Sequence, residues 1–218
     1  VHNSGRQMRS SQFAKSLDKH VILFGIMTLT ISWILSLTVI IGDRKIEIAR
    51  YQNETQNLAI VLEKHISGTF SQIESSLFAL RRAWESDTTE SEMHNLLNNF
   101  VSSRSDLFNL ISVIDLDGNV LVTDQIHSKP VNSGDRPFFL FHKNHSDRKM
   151  LVSSPILGRV TGKWYIPVSI RLEDAEGNFS GVLLASVNPY YFSMIFQEVE
   201  LGHDALIILI DSEGIIFS

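Results

Sequence analysis

The sequence predicts an α+β protein with one membrane-spanning helix near its N-terminus. Three observations support this fold class. The run 21–41 carries no charge and is long enough to cross the hydrocarbon core of a bilayer. Apolar residues then recur every three or four positions, which is typical of a long helix. From residue 107 the pattern changes to short β-rich runs joined by Asp-Gly or Glu-Gly turns, so helices and sheet occupy separate stretches.

Composition narrows the classes of function. Of the 218 residues, 44% are hydrophobic and 20% are charged, as in globular proteins. The absence of cysteine excludes disulfides, thiolate catalysis and cysteine-ligated metal sites. The first 42 residues hold four of the 19 basic and one of the 24 acidic side chains, which leaves the remainder at about −8. This acidic balance argues against a nucleic-acid partner.

The uncharged run 21–41 has two interpretations, a transmembrane helix and a cleaved signal peptide. A signal peptide has an apolar core of about 7 to 15 residues and a cleavage site of the A-x-A type. This run is longer, and the sequence SLTVIIG that closes it offers no such site. We therefore predict a transmembrane helix over 21–42.

Basic residues on the two sides of the span bear on its orientation. Four precede it and three follow it closely: Arg6, Arg9, Lys15 and Lys19, then Arg44, Lys45 and Arg50. The difference is small, but the short basic tail is typical of a cytoplasmic segment and the part after the span reads as a folded domain. We predict that 1–20 is cytoplasmic and that residues from 43 onward lie in a bacterial periplasm, with the span in the inner (cell) membrane.

A stalk helix and a second helix are predicted over 43–105. The stalk carries an apolar stripe, which packs on its own domain or on a second copy in a homodimer: Leu58, Leu62, Ile66, Phe70, Ile73, Leu77, Leu80 and Trp84. After the polar break SDTTES, the sequence MHNLLNNFVSS predicts a shorter helix. It is expected to start near Thr89 or Ser91, with Glu92 in its first turn.

The remaining sequence predicts antiparallel hairpins with helical inserts. The turns fall at Asp117-Gly118, Glu176-Gly177 and Glu213-Gly214. Short helices are expected in DRPFFLFHKNHSD and in NPYYFSMIFQEVE, where Asn188 is the predicted N-cap, and strands in MLVSSPIL and GRVTGKWYIPVSIRL. VIDLDGNVL (113–121) and LIDSEGIIF (209–217) align on their glycines. This repeat predicts two tandem modules, 106–199 and a second that begins in 200–218 and is truncated after its first hairpin.

The ordered segments VIDLDGNVLVTD, GDRPFFLFH, SSPILGRVTGKWYIPVSIRL, GNFSGVLLASVNPYYF and LGHDALIILIDSEG resemble the double Cache (tandem PAS-like) sensor domains of bacterial chemoreceptors, sensor histidine kinases and diguanylate cyclases. The resemblance covers roughly 43–218. It implies a periplasmic ligand sensor that is not itself an enzyme. It also implies a second sensor module, a return span and a cytoplasmic output domain, such as a kinase or a diguanylate cyclase, in the full protein.

Within that family the ligand usually lies between the sheet and loops that correspond to 134–143 and 153–171. Arg136 matches the Arg of the family's D-R-x-[YF]-F pattern, and Trp164 matches the Trp of its T-G-x-W pattern. The family's usual Tyr and Asp are Phe138 and Asn188 here, and Gly162 replaces the Arg that amino-acid-binding members carry two positions before the Trp. The resemblance therefore does not favour an α-amino acid.

The stretch GRVTGKWYIPVSIRL gathers cations around aromatic side chains, which suits a small organic anion. The predicted ligand-binding residues, including those that the resemblance suggests, are Arg136, Phe139, His142, Ser153, Thr161, Lys163, Trp164, Tyr165, Arg171 and Asn188. In the alternative interpretation Trp164 is a packing anchor and Lys163 solvates a turn. Arg159 is expected to face solvent.

Other chemistries find less support in the sequence. DLDGN (115–119) could start a calcium loop, but the apolar residues after it favour a hairpin turn. A zinc site built from His142, His145, Asp147 and His127 lacks a third ligand at a defined spacing, so neither metal nor cofactor is predicted. Nucleophile-elbow and P-loop patterns are absent. The alternative to a ligand sensor is a membrane-anchored dimerisation or protein-interaction module without a small-molecule ligand.

Overall fold

A computed structural model of the chain describes residues 4–86, 88–124, 130–159, 161–197, 206–211 and 214–218. The chain divides into two compact units, 1–64 and 65–218, which are considered separately. The helices are α1 (Ser4–Glu85), α2 (Glu90–Ser102), α3 (Pro137–Asn144) and α4 (Pro189–Gln197). The strands are β1 (Phe108–Asp115), β2 (Val120–Thr123), β3 (Leu151–Val152), β4 (Ile156–Leu157), β5 (Trp164–Glu173) and β6 (Phe179–Val187). The predicted α+β class is confirmed.

The first unit consists of the N-terminal part of α1. This helix is long and apolar enough to cross a membrane, with a mean hydropathy of 2.1 in its most apolar window and none of that window buried in protein. Large apolar side chains such as Trp33 and Leu35 are exposed, as expected of a surface that faces lipid. The helix therefore fits the predicted single span.

The second unit is built on an antiparallel sheet with the strand order β2-β1-β6-β5-β3, and β4 pairs with the first residues of β5. Residues 65–85 of α1 and the whole of α2 cover one face of the sheet. Ile73 and Leu77 of α1 and Leu97 of α2 are fully buried in the same apolar core as Ile111 and Ile170 of the sheet. The part of the stalk stripe from Ile66 to Trp84 thus packs on its own domain.

The start of α2 follows the sequence prediction. Thr89 is the N-cap, its hydroxyl accepts a hydrogen bond from the Glu92 amide, and the Glu92 carboxylate accepts one from the Thr89 amide. This capping box satisfies backbone donors that the first turn of a helix leaves unpaired.

The hairpin turns are closed by aspartates. Asp115 Oδ1 accepts hydrogen bonds from the amides of Asp117 and Asn119 at 2.9 and 2.7 Å, and Asp174 caps the β5–β6 turn in the same way. The predicted turn at DLDGN is confirmed, with its carboxylate oxygen engaged by backbone amides. In the third hairpin Ile210 pairs with Ile216, whereas Glu213 of its predicted turn lies outside the described residues.

The remaining predicted elements differ in length from the sequence patterns. MLVSSPIL forms two strands of two residues each, because Pro155 between them offers no amide for sheet pairing. Asn188 precedes α4, and its side-chain oxygen accepts a hydrogen bond from the Tyr190 amide at 3.2 Å. The end of the segment predicted for this helix, 198–200, lies outside the described residues.

Candidate functional site

The second face of the sheet carries polar side chains and a cleft. Strand alternation places on this face the even-numbered residues of β1 from Leu110 and of β6 from Val182, and the odd-numbered residues of β5. Ser112, Tyr165 and Ser186 form the floor of the cleft, and the segments around Arg136 and Arg159 form its walls. The cavity has a volume of about 20 Å³ and is lined by Leu110, Ser112, Val120, Val131, Ser133, Arg136, Gly158, Arg159, Thr161, Tyr165, Leu184 and Ser186.

One wall of the cleft is fastened to the β1–β2 turn through Asn132. Its side-chain nitrogen donates to the Asp117 carbonyl at 3.0 Å and to Asn119 Oδ1 at 2.9 Å. Its side-chain oxygen accepts from the Gly134 amide at 2.9 Å. These bonds fix the backbone immediately before Arg136, so this arginine enters the cleft from an anchored segment.

Two arginines tie the walls together in opposite directions. Arg136 donates from Nη2 to the Leu157 carbonyl at 2.9 Å. Arg159 donates from Nη1 to the Asn132 carbonyl at 2.7 Å and binds both carboxylate oxygens of Asp135 at 2.6 and 2.7 Å. This guanidinium lowers the pKa of Asp135 to about 2. Each wall therefore contributes one guanidinium to a closed cleft.

Four side-chain hydroxyl groups, three on the floor and one on a wall, lie at the cleft. Ser112, Ser133, Tyr165 and Ser186 are all less than 9% exposed. Among the residues that the structure describes, none makes a hydrogen bond with any of these four hydroxyls, and none of the four is a fully buried atom without a partner, so each is open to the cleft. Burial raises the pKa of Tyr165, so its phenol stays protonated and can donate a hydrogen bond. The floor thus presents unpaired donors and acceptors to whatever enters.

Three of the residues predicted from the sequence lie together in this cleft: Arg136, Thr161 and Tyr165. The Thr161 hydroxyl accepts a hydrogen bond from the Lys163 amide at 3.2 Å, which shapes the wall. The structure thus brings these three predicted residues together at one cleft.

Three others lie in the protein interior beside α3. His142 is fully buried, its Nε2 is 3.0 Å from Ser169 Oγ, and burial lowers its pKa to about 4. Arg171 donates to the His142 carbonyl at 2.5 Å and to Glu173 at 3.1 Å. The Phe139 ring packs edge-on against Phe179 in the apolar cluster. Protein groups engage these side chains, and none of the three lines the cleft.

The other predicted residues are spread over the surface. Ser153 lines a separate cavity of about 670 Å³, and Trp164, which is 56% exposed, lines a third of about 450 Å³. Lys163 is exposed and Asn188 caps α4. The structure does not bring these four to the cleft. Across the described residues there is no group of three His, Asp or Glu side chains that could hold a metal ion, and His127 lies outside them.

Sequence reasoning missed several residues of the cleft. Arg159 is exposed, as expected, but it also lines the cleft and pairs with Asp135, and the sequence pattern indicated neither contact. Ser112 and Ser186 lie within strands, where alternation could have placed them on one face. Which face that is depends on packing against α1 and α2, which local patterns do not specify.

Comparisons with known proteins agree on the fold. A family model described as Cache domain matches residues 45–218. Among solved structures, the extracellular domain of rpHK1S-Z16, assigned as a histidine kinase, is 27% identical with a TM-score of 0.66, covering 72% of this chain and 66% of that one. The ligand-binding domain of Campylobacter jejuni chemoreceptor Tlp3 with L-norvaline is 16% identical with a TM-score of 0.60, covering 77% and 70%.

A third solved structure has a similar fold. The ligand-binding domain of Pseudomonas fluorescens chemoreceptor CtaA with L-serine is 14% identical with a TM-score of 0.56, covering 72% of this chain and 66% of that one. The chain thus spans about two thirds of the length of the first of these structures. No curated protein matches the chain.

Proposed function

The chain belongs to the Cache domain family, and from that premise we propose that its cleft binds a small organic anion as the sensor region of a bacterial membrane receptor. Cache domains are extracellular, ligand-binding and non-catalytic modules of such receptors. The finer proposal concerns the chemistry of the ligand and the route of the signal.

The observation that supports an anionic ligand is the pair of guanidinium groups at the cleft. Arg136 and Arg159 both line it, whereas no carboxylate side chain does so among the described residues. Arg159 already holds a carboxylate in a two-pronged arrangement, that of Asp135. An arginine fork matches the two oxygens of a carboxylate and adds charge to the hydrogen bonds.

An α-amino acid suits this cleft less well. Its ammonium group needs acceptors, and an acidic one compensates the charge best. The carboxylate of Asp135, which precedes Arg136 in the chain, is already bound by Arg159. The chemoreceptor structures with L-norvaline and L-serine share the fold at 16% and 14% identity, too little to transfer their ligands.

The proposed signal route starts at the sheet and passes along α1. Residues of α1 such as Ile73 and Leu77 are buried against the sheet whose other face forms the cleft, and the same helix contains the candidate span. In this proposal the domain has two arrangements in equilibrium. A ligand shifts that equilibrium only if it binds one arrangement better than the other. The proposed location is the bacterial inner membrane, with 1–20 in the cytoplasm and the sensor in the periplasm.

The proposed assembly extends beyond this chain. We place the start of a second module in 200–218, a homodimer contact in the stalk before residue 65, and a kinase or diguanylate cyclase output in the cytoplasm. Exposed Ile60 and Val61 support the stalk contact, and the 27% identity to the extracellular domain assigned to a histidine kinase supports a kinase output.

Calorimetric titration of the full chain in lipid nanodiscs tests the ligand class. Propionate, succinate and acetate are compared with their neutral amides, and we expect binding of at least one carboxylate and of no amide. Arg136→Ala should weaken that binding by about tenfold or more, because it removes a charge-assisted hydrogen bond. Arg148→Ala, an exposed arginine outside the cleft, is the matched control. Failure of every carboxylate to bind would overturn the proposal, and a tight protein partner would then favour an interaction module.

A further inference from the structure

We propose that the cleft selects a hydroxylated carboxylate. The serines of its floor form hydrogen bonds with hydroxyl groups on the carbons next to the ligand's carboxylate. This inference rests on the proposed function, since it concerns the ligand of the same cleft. It is carried by the unpaired hydroxyls of Ser112, Ser133, Ser186 and Tyr165.

A hydroxyl group on the packed face of a sheet takes a hydrogen-bond partner from the protein, from water or from a ligand. Buried polar groups nearly always find a partner, because leaving one unpaired costs free energy. On the same face, Ser169 follows this rule through its contact with His142 at 3.0 Å. Ser112 and Ser186 are 2% and 3% exposed and make no such contact with the described residues, and neither hydroxyl is among the fully buried unpaired atoms, so both open to the cleft and take their partners from it.

The chemistry of these groups indicates what the partner is. A serine hydroxyl donates one hydrogen bond and accepts others, so it matches another hydroxyl in either direction. An aliphatic chain would leave the floor hydroxyls unpaired, and an ammonium would find no acidic side chain lining the cleft among the described residues. A hydroxyl-bearing ligand pairs the floor, while its carboxylate meets the guanidinium groups at the walls.

The register of the sheet sets the spacing of the contacts. Ser112 of β1 lies opposite Leu184 of β6, and Ser186 is two residues further along β6 on the same face. Such diagonal neighbours are about 7 to 8 Å apart. Two serines at that distance bond to different parts of one ligand, which favours hydroxyls on more than one carbon.

Entry of the ligand requires the walls to separate. A cavity of about 20 Å³ holds roughly one water molecule. The ion pair between Arg159 and Asp135 is accessible, with 41% and 66% of the side chains exposed, and exposed pairs are worth little. Breaking this ion pair therefore costs little free energy, and it leaves the Arg159 guanidinium available to bind the ligand.

A series of three-carbon compounds tests the inference on the full chain in nanodiscs. Calorimetry compares propionate, lactate and glycerate, which carry no, one and two hydroxyls, with alanine and glycerol as analogues. We expect glycerate to bind most tightly and each hydroxyl to add about two- to tenfold in affinity. Ser112→Ala and Ser186→Ala should each reduce the ratio of glycerate affinity to propionate affinity, because each removes a partner of a ligand hydroxyl and a group that propionate leaves unpaired. Ser153→Ala, outside the cleft, should leave the whole series unchanged.

The outcomes separate this inference from the function on which it rests. Propionate binding as tightly as glycerate would overturn the hydroxyl preference and leave an anion sensor standing. Alanine binding as tightly as lactate would also overturn it. Absence of binding by every carboxylate would overturn the inference together with the proposed function. The ligand-free melting temperature of each serine variant, expected within a few degrees of the parent's, verifies that the variant is folded.

Discussion

Arg159, which lines the cleft, donates hydrogen bonds from both terminal nitrogens to the two carboxylate oxygens of Asp135, at 2.6 and 2.7 Å. This internal carboxylate occupies the fork that a ligand carboxylate would use. Asp135→Asn removes the competing charge, so we expect the affinity for small carboxylates to rise by about two- to fivefold, the range of an exposed ion pair. Titration calorimetry on the full chain in nanodiscs measures the change.

The control for this prediction is Asp147→Asn, another accessible aspartate that contacts a cation, Lys149, at 3.9 Å but does not line the cleft. It should leave carboxylate affinity unchanged. Equal or weaker binding by Asp135→Asn would mean that Asp135 supports the site instead of competing with its ligand.

Two glycines at hairpin β5–β6 allow backbone strain to be separated from a steric clash of an added Cβ. Gly177 and Gly181 both have positive φ, 84° and 152°, but a Cβ at Gly177 meets open space while one at Gly181 would lie 2.1 Å from the Ile114 carbonyl oxygen. Gly177→Ala should therefore lower stability by about 1 kcal/mol through backbone strain alone, and Gly181→Ala by about 3 kcal/mol or more. Thermal unfolding followed by tryptophan fluorescence ranks them, and equal losses would contradict the contact argument.

Local sequence patterns predict the helices and turns of this fold, whereas the cleft depends on contacts between residues that are far apart in the chain. Thr89 with Glu92, and Asp115 with its turn amides, act over four residues or fewer, so the sequence alone predicts the helix start and the hairpin. Arg159 reaches Asp135 across 24 residues. Ser112 and Ser186 meet only when β1 pairs with β6, a register that depends on distant strands. Arg171 and His142 were predicted to bind the ligand from local patterns, whereas the fold places both beside α3, in contact with buried protein groups from distant parts of the chain.

His142 should make stability depend on pH. Burial lowers its pKa from 6.5 to about 4 in the folded state, while the unfolded chain keeps the ordinary value. Between these values the unfolded state binds more protons, so stability is full above the unfolded pKa and falls as the pH drops toward 4. The loss is up to about 3 kcal/mol. The hydrogen bond with Ser169 and the charge of Asp147 oppose this lowering of the pKa, and Arg171 and His145 reinforce it.

Melting temperatures at pH 7 and pH 5 measure this dependence, since the window lies above the range in which most carboxylates titrate. His142→Gln should flatten the difference between the two temperatures. His145→Gln removes an exposed histidine that is the smallest of the causes lowering this pKa, so it should preserve most of the difference. An unchanged slope in His142→Gln would assign the pH dependence to other groups.

Arg171 and Arg148 share one carboxylate but differ in burial, which separates a structural role from a surface one. Arg171 is 8% exposed, contacts Glu173 at 3.1 Å and lies over the Phe179 ring, whereas Arg148 reaches the same Glu173 from a side chain that is 57% exposed. Arg171→Ala leaves a buried carboxylate and the His142 carbonyl without their inner donor, so we expect a loss of about 3 kcal/mol. Arg148→Ala should cost less than about 1 kcal/mol. Urea unfolding gives both values.

Calorimetry on folded Arg171→Ala should show unchanged carboxylate affinity, and a selective loss of affinity would instead place Arg171 in the ligand site.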